Sequence, residues 1–204
     1  MATSWTIYLR DGDSGEPVQA DLRDAIEEAQ LLDWREHWQP LLIAQLRERG
    51  AGSLADWPEN WHWNWDRKMA QIDGLLGFAG FSVVSGGQTQ GMARVDLNQF
   101  AREPSQKGKP LVYVDYLETA PWNRPDLGFD PPRLRGVGSA LLVAASALSA
   151  AEGFKGRIGL HSLPRADDFY RRSGLCDLGP DPAVHDLRYF EMTEAQAQAF
   201  LEEE

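Results

Sequence analysis

Cysteine is almost missing from this chain. Cys176 is the sole cysteine in 204 residues, so no internal disulfide can form and the fold must be held by its core. Long apolar runs are missing too: no stretch approaches the roughly 20 residues needed for a membrane-spanning helix. The beginning, Met1-Ala2-Thr3-Ser4-Trp5, has no basic segment followed by an apolar core and so does not read as a secretory signal. Together these features predict a cytoplasmic protein without a membrane segment. Positive charge is also scarce, with 20 Lys and Arg against 31 Asp and Glu and a formal net charge of −11. Such a field repels phosphate backbones, so nucleic acid is a poor default partner, whereas a cationic small molecule or a peptide amine suits it better. No metal site is expected.

What is present is ordinary for a globular chain: 43% apolar and 25% charged residues. At 204 residues, the chain is expected to form one domain spanning 1–204. Trp5 to Arg10 alternates β-branched and aromatic residues and ends in the turn-forming Asp11-Gly12-Asp13-Ser14-Gly15, which predicts a first strand. From Gln19 to Arg49 the residues favour helix, with Pro40 predicted to separate two helices and Gly50 to Gly52 to end the second. Trp57 to Trp65 holds four tryptophans. Trp61, Trp63 and Trp65 alternate as in a strand, while Trp57, Trp61 and Trp65 keep helical spacing. They read either as a stacking platform for a ring or a cation, or as bulky side chains closing a core edge.

Leu75 to Ser85 and Thr89 to Leu97 are predicted to form a hairpin through Gly86-Gly87-Gln88, followed by a loop from Gln99 to Pro110. Leu111 to Thr119 is nearly continuous in strand-formers, as for a strand covered on both faces. Val137 to Ala151 is rich in Ala and Leu on all sides and reads as a buried helix. A strand over Arg157 to Leu163, a short helix over Arg165 to Ser173, a strand over Leu187 to Met192 and a helical tail from Glu194 complete the chain. The strand–helix–strand passage around Val137 to Ala151 implies a parallel crossover in an otherwise antiparallel sheet.

Between the central strand and the buried helix lies Arg133-Leu134-Arg135-Gly136-Val137-Gly138-Ser139-Ala140. Glycines there let a ligand approach the backbone, and the free N–H groups at the helix start suit a pyrophosphate. Taken alone, the pattern also fits an ordinary tight connection. Leu141 replaces the third glycine of a dinucleotide fingerprint, and no Gly-Lys-Ser/Thr of a P-loop occurs.

Arg133-Leu134-Arg135-Gly136-Val137-Gly138 resembles the Gln/Arg-x-x-Gly-x-Gly/Ala hallmark of the GNAT superfamily of N-acetyltransferases. Upstream, Leu117-Glu118-Thr119-Ala120-Pro121 is similar to the end of that family's fourth strand. Downstream, Ala166-Asp167-Asp168-Phe169-Tyr170-Arg171-Arg172-Ser173-Gly174-Leu175 is similar to its A-x-x-F-Y-x-x-x-G-F segment. The resemblance implies an α/β (α+β) fold with a mixed, mostly antiparallel sheet, a splayed parallel pair of strands and flanking helices. It implies transfer of an acetyl group from acetyl-CoA to a primary amine. The backbone at Leu117 and Thr119 would pair with pantetheine, and Arg133, Arg135, Gly136, Val137, Gly138, Ser139 and Ala140 would hold the pyrophosphate. A homodimer is an expectation of the same kind. The chain departs from the family in a longer loop over Trp122 to Pro132, placed to shape or cover the site, and in Leu163 where an asparagine is usual.

For the chemistry, the resemblance places Tyr170 as the acid that protonates the thiolate; the alternative is a phenol packed on its helix. Alternation on the strand puts Tyr113, Asp115 and Leu117 on one face, with Val114, Tyr116 and Glu118 on the other. The resemblance favours Asp115 as the proton acceptor or the holder of a cationic substrate, with Tyr113 beside it; Asp115 equally reads as a buried carboxylate satisfied by neighbouring donors. His161 is a second proton acceptor or a structural histidine, and Trp122 a substrate contact. Two other functions fit the same residues: a non-catalytic acyl-CoA- or partner-binding module of the same fold, and an acetyltransferase toxin acting on aminoacyl-tRNA.

Overall fold

In a computed structural model describing residues 3–48 and 57–203, nine strands form a mixed sheet in the order β6-β1-β2-β3-β4-β5-β7-β9-β8. The chain divides into two compact units. One comprises the chain up to Leu75 with Gly80–Met92 and Glu118–Ala140; the other comprises Leu76–Ala79, Ala93–Leu117 and the chain from Leu141 onward.

In the first unit, β1 (Ser4–Asp11) and β2 (Pro17–Arg23) form an antiparallel hairpin with Leu9 opposite Val18 and Ile7 opposite Ala20. The turn is organised by Asp11, whose Oδ1 accepts from the backbone N–H and the hydroxyl of Ser14, each at 2.9 Å. β2 is a correction to the sequence reading, which made Gln19 onward helical. Gln, Ala, Leu and Arg favour helix, but Ala20 and Leu22 are buried at alternate positions, and pairing with β1 overrides that weak preference.

Helix begins at α1 (Glu28–Asp33), widens into a π turn over Trp34–Trp38 and continues as α2 (Gln39–Glu48). Pro40 therefore does not separate two helices. It lacks an N–H for the carbonyl four residues back, and the wider turn immediately before it, with Gln39 N–H bonded to Trp34 O, absorbs the defect. The predicted end at Gly50 to Gly52 lies outside the described residues. α3 (Trp65–Ala70) is capped by Asn64, whose side chain accepts from Arg67 N–H at 2.8 Å. β3 (Phe78–Ser85) turns through Gly86-Gly87, both at positive φ, into β4 (Gln88–Phe100), as expected for a two-residue hairpin loop. Trp34, Trp38, Trp65, Phe81, Val83 and Met92 are buried in this unit.

In the second unit, β5 (Pro110–Thr119) pairs in parallel with β7 (Ile158–Ser162), Tyr113 lying opposite Gly159. The chain between them passes through β6 (Leu134–Arg135), which belongs to the first unit, and α4, which spans Val137–Ala151 as predicted. α4 is fastened to the start of β7 by Ser146 Oγ donating to Gly156 O at 3.0 Å and Ser149 Oγ to Arg157 O at 2.7 Å. α5 (Asp167–Arg172) follows a short 3-10 turn, and α6 (Glu194–Glu203) forms the predicted tail. β8 (Cys176–Asp181) was not foreseen; it pairs antiparallel with β9 (Leu187–Met192) across an irregularity between Asp177 and Pro180. Gly179 and the prolines at 180 and 182 make this segment read as loop, yet an edge strand with a bulge tolerates both residue types.

Candidate functional site

The first unit builds the glycine turn. Arg135 lies opposite Arg10 and Leu134 opposite Asp11 in the β6–β1 pair. Gly12 N–H donates to Arg133 O at 3.0 Å, an approach that only glycine permits, since a Cβ on Gly12 would lie 1.5 Å from Pro132 O. Gly136 then takes φ +93°, a left-handed conformation that favours glycine, and α4 starts at once. The N–H groups of Val137, Gly138 and Ser139 occupy the first helical turn, where no helical carbonyl precedes them. Ala140 N–H, grouped with these donors in the sequence reading, is already bonded to Gly136 O at 2.9 Å. Arg135 is exposed beside the turn, and the Arg133 guanidinium donates to Gln88 Oε1 at 3.0 Å.

The loop from Trp122 is tied down at both ends. Trp122 Nε1 and Asn123 Nδ2 both donate to Gln90 Oε1, at 2.8 and 3.0 Å, and Asn123 Oδ1 accepts from Leu134 N–H at 2.9 Å. Arg133 N–H donates to Trp122 O at 2.9 Å. The indole of Trp122 also meets Trp38 edge-on. Leu117 and Thr119, two apart at the end of β5, are both half-buried.

Glu118, between them, is buried in the first unit. Its Oε2 accepts from Trp65 Nε1 at 2.6 Å and its Oε1 from Asn60 Nδ2 at 2.7 Å, while Asn60 Oδ1 accepts from the Arg124 guanidinium at 3.2 Å. Burial pushes the Glu118 carboxyl up to about 7, against the opposing pull of the Trp65 hydrogen bond and of the Arg124 and Lys68 charges. The tryptophan segment thus divides by role: Trp65 is fully buried on this carboxylate, whereas Trp61 is exposed and packs edge-on against Trp57 at 4.9 Å.

The second unit holds the residues singled out for chemistry. Asp115 Oδ2 accepts from Arg94 Nε at 2.9 Å and also from Arg94 Nη2. The same guanidinium lies over the Tyr116 ring. Tyr170 is buried with its ring against Phe169 and Phe190, and burial first, then neighbouring Tyr113, push its phenol above the ordinary range. Tyr113 is pushed up to about 12, chiefly by burial and secondarily by the Asp115 charge. Its hydroxyl lies 2.7 Å from His161 Nδ1, and His161 Nε2 lies 3.0 Å from Asp181 Oδ2. Asp181, not found from sequence, also accepts from Arg102 Nη1 at 2.5 Å. Arg102 first and His161 second hold its carboxyl down at about 2. Burial lowers His161 despite the raising effect of Asp181.

Thus Tyr113, His161, Asp115 and Tyr170 belong to one unit, with Tyr113 the electrostatic neighbour of the other tyrosine and of Asp115. Among the described residues there is no cluster of His, Cys, Asp and Glu able to hold a metal ion, and no helix is long and apolar enough to cross a membrane.

No family model matches the chain, and no curated protein matches it in sequence. Solved structures do match it in fold. The GNAT domain of S. lividans PAT is 16% identical, with 93% of this chain and 96% of that chain covered at a TM-score of 0.55. PaiA N-acetyltransferase from Thermoplasma acidophilum, solved in complex with coenzyme A, is 14% identical over 84% of this chain and 97% of its own, with a TM-score of 0.51. A bacterial toxin, also 14% identical, covers 100% of this chain and 97% of its own at 0.52. At such identities the likeness establishes the fold: a mixed sheet with one parallel pair, as in the GNAT acetyltransferases.

Proposed function

We propose that the chain is one acetyltransferase domain that transfers the acetyl group of acetyl-CoA to a primary amine of a small molecule or peptide in the cytoplasm. The observation that carries this reading is the Gly136 turn. A left-handed glycine opens directly onto the first-turn N–H groups of a long helix, with Arg135 immediately before it and Arg133 three residues before it, an arrangement suited to a diphosphate. The fold is shared with an N-acetyltransferase solved with coenzyme A, which supports the same ligand.

In this reading the neutral amine nitrogen attacks the thioester carbonyl, forming the C–N bond as the C–S bond breaks, and gives up one N–H proton. Tyr170 keeps its proton at neutral pH because burial disfavours its phenolate, and it donates that proton to the departing thiolate. Asp115, bound through Oδ2 to Arg94, holds a cationic acceptor in place. Tyr113 contacts the acceptor. Binding and orientation supply much of the remaining rate.

Calorimetric titration with acetyl-CoA, followed by thiol release across a panel of amines, tests the proposal. Binding together with amine-dependent release is expected; no heat at millimolar acetyl-CoA would overturn it. The likeness to a bacterial toxin over the whole chain favours a second reading, in which the amine belongs to an aminoacyl-tRNA. The net charge of −11 counts against it, and acetylation of aminoacyl-tRNA in preference to free amines would establish it.

A further inference from the structure

Three residues distant in sequence form an unbroken hydrogen-bonded chain in the second unit: Tyr113 on β5, His161 on β7 and Asp181 at the end of β8. The sheet brings them together. Parallel pairing sets Tyr113 opposite Gly159, two residues before His161, and antiparallel pairing sets His161 opposite Tyr189 on β9. The irregularity between Asp177 and Pro180 leaves Asp181 opposite Leu187, within reach of the imidazole.

The direction of each hydrogen bond follows from charge. Asp181 is ionised, since the Arg102 guanidinium donates to it at 2.5 Å and holds its carboxyl low, and a carboxylate can only accept. Nε2 of His161 must therefore carry the hydrogen. The imidazole is neutral near pH 7, so Nδ1 presents its lone pair, and Tyr113 O–H donates to it at 2.7 Å. The groups facing the ring are Tyr113 from β5, Asp181 from β8, Tyr189 from β9 and Arg102 from the segment after β4. Asp181 is itself anchored by Ala183 N–H at 2.9 Å, and Arg102 is seated over the Tyr189 ring at 4.3 Å, so the carboxylate cannot swing away from the imidazole. A hydroxyl, an imidazole accepting from it, and a carboxylate fixing the imidazole tautomer have the logic of a nucleophile-activating triad, here ending on a half-buried phenol.

We infer that Tyr113, His161 and Asp181 form a proton relay that removes the proton of the acceptor amine, Tyr113 meeting the amine and Asp181 acting as a positioning residue for His161. The inference rests on the acetyl-transfer reading above. The amine N–H proton passes to the Tyr113 oxygen as the phenol proton moves to His161 Nδ1, and Asp181 stabilises the resulting imidazolium. The thiolate takes the Tyr170 proton, Tyr170 regains one from solvent, and His161 releases one to solvent. The balance is one proton moved from nitrogen to sulfur.

The test compares wild type, Tyr113→Phe and Asp181→Asn by thiol-release kinetics from pH 5 to 9, with acetyl-CoA affinity measured by calorimetry and the His161 tautomer by 15N NMR. General-base contributions of this kind predict a fall in kcat of about 10²-fold or more in either variant, with acetyl-CoA affinity unchanged. Wild type should show Nε2–H at His161 and an acid limb in kcat/KM below the ordinary histidine range, and that limb should vanish in Tyr113→Phe. A purely structural role would leave the limb in place. Should Asp181→Asn fail to fold, Tyr113→Phe, which removes one oxygen, decides alone. Unchanged kcat and pH limb in Tyr113→Phe, or an Nδ1–H tautomer, overturn the relay while leaving acetyl transfer standing. Wild type that binds acetyl-CoA but releases thiol with no amine overturns the transfer reading, and the relay with it.

Discussion

Glu118→Gln should abolish a pH dependence of stability that runs opposite to ordinary acid denaturation. The Glu118 carboxyl is buried, its oxygens receive an indole N–H and an amide N–H, and it is pushed from 4.5 up to about 7. The folded state therefore binds a proton more tightly than the unfolded chain, and between pH 4.5 and 7 it carries more protons. Stability must fall as pH rises through that window. Below pH 4.5 the contribution is fully present; above 7 it is gone. At 1.36 kcal/mol for each pH unit, the loss is about 3 kcal/mol, or up to about 10 °C in Tm for a chain of this size. The low-lying carboxylates Asp11, Asp177 and Asp181 act with the opposite sign and only at more acid pH, so the two windows separate. Thermal and urea denaturation of wild type and Glu118→Gln at pH 5, 6, 7 and 8 measure the effect. The variant lacks a titrating group and loses one accepted hydrogen bond, a cost of about 1–3 kcal/mol near pH 5, so the gap to wild type should narrow as pH rises. A gap that stays constant from pH 5 to 8 would refute the reasoning.

Tyr170→Phe should lower kcat by about 10²-fold while leaving acetyl-CoA affinity within twofold by calorimetry, since the phenol ring packing against Phe169 and Phe190 is kept. Gly136→Ala forces a side chain into φ +93° and should lower stability by about 1–2 kcal/mol in urea denaturation and weaken acetyl-CoA binding more than tenfold. Arg94→Gln removes the cation that bonds Asp115 Oδ2 in a buried position and should cost on the order of 2 kcal/mol, with a rise in KM for cationic acceptors but not for acetyl-CoA.

Much of the fold was legible because the patterns were local. The Ala- and Leu-rich run of α4, the Gly86-Gly87 hairpin and the strand-formers of β5 each carry their signal within about ten residues, and their positions match. Where the reading failed, non-local pairing decided. β2 is written in helix-favouring residues and becomes a strand because β1 offers it a partner. β8 contains Gly179 and Pro180 and survives because an edge strand with a bulge accepts them. The candidate site has a sequence motif at Arg133 to Ser139 and at Tyr170, but the sequence does not carry which side chain meets which. Asp181 lies beside two prolines and carries no local sign that His161, 20 residues earlier, binds it. Trp65 could be counted among four tryptophans, but periodicity reports the side a ring faces, not that its N–H meets Glu118.

Three carboxylates bear on how the proposed chemistry would be divided, and their surroundings set them apart. Asp115 accepts from two nitrogens of Arg94 on one oxygen, which fixes its side chain in place for the proposed role of holding a cationic acceptor. Glu118 is buried and accepts from an indole and an amide N–H, so it ionises late; it fastens Trp65 and Asn60 to the end of β5 rather than holding a permanent charge. Asp181 has a cation and an imidazole on the same oxygen and a backbone N–H on the other, and it stays ionised throughout the working pH range. Only a carboxylate of this last kind can fix a histidine tautomer through a catalytic cycle, because its own protonation would remove the acceptor that keeps hydrogen on Nε2. If one of the three assists proton removal, it is therefore Asp181, although Asp115 stands closer in sequence to the motif that identifies the fold.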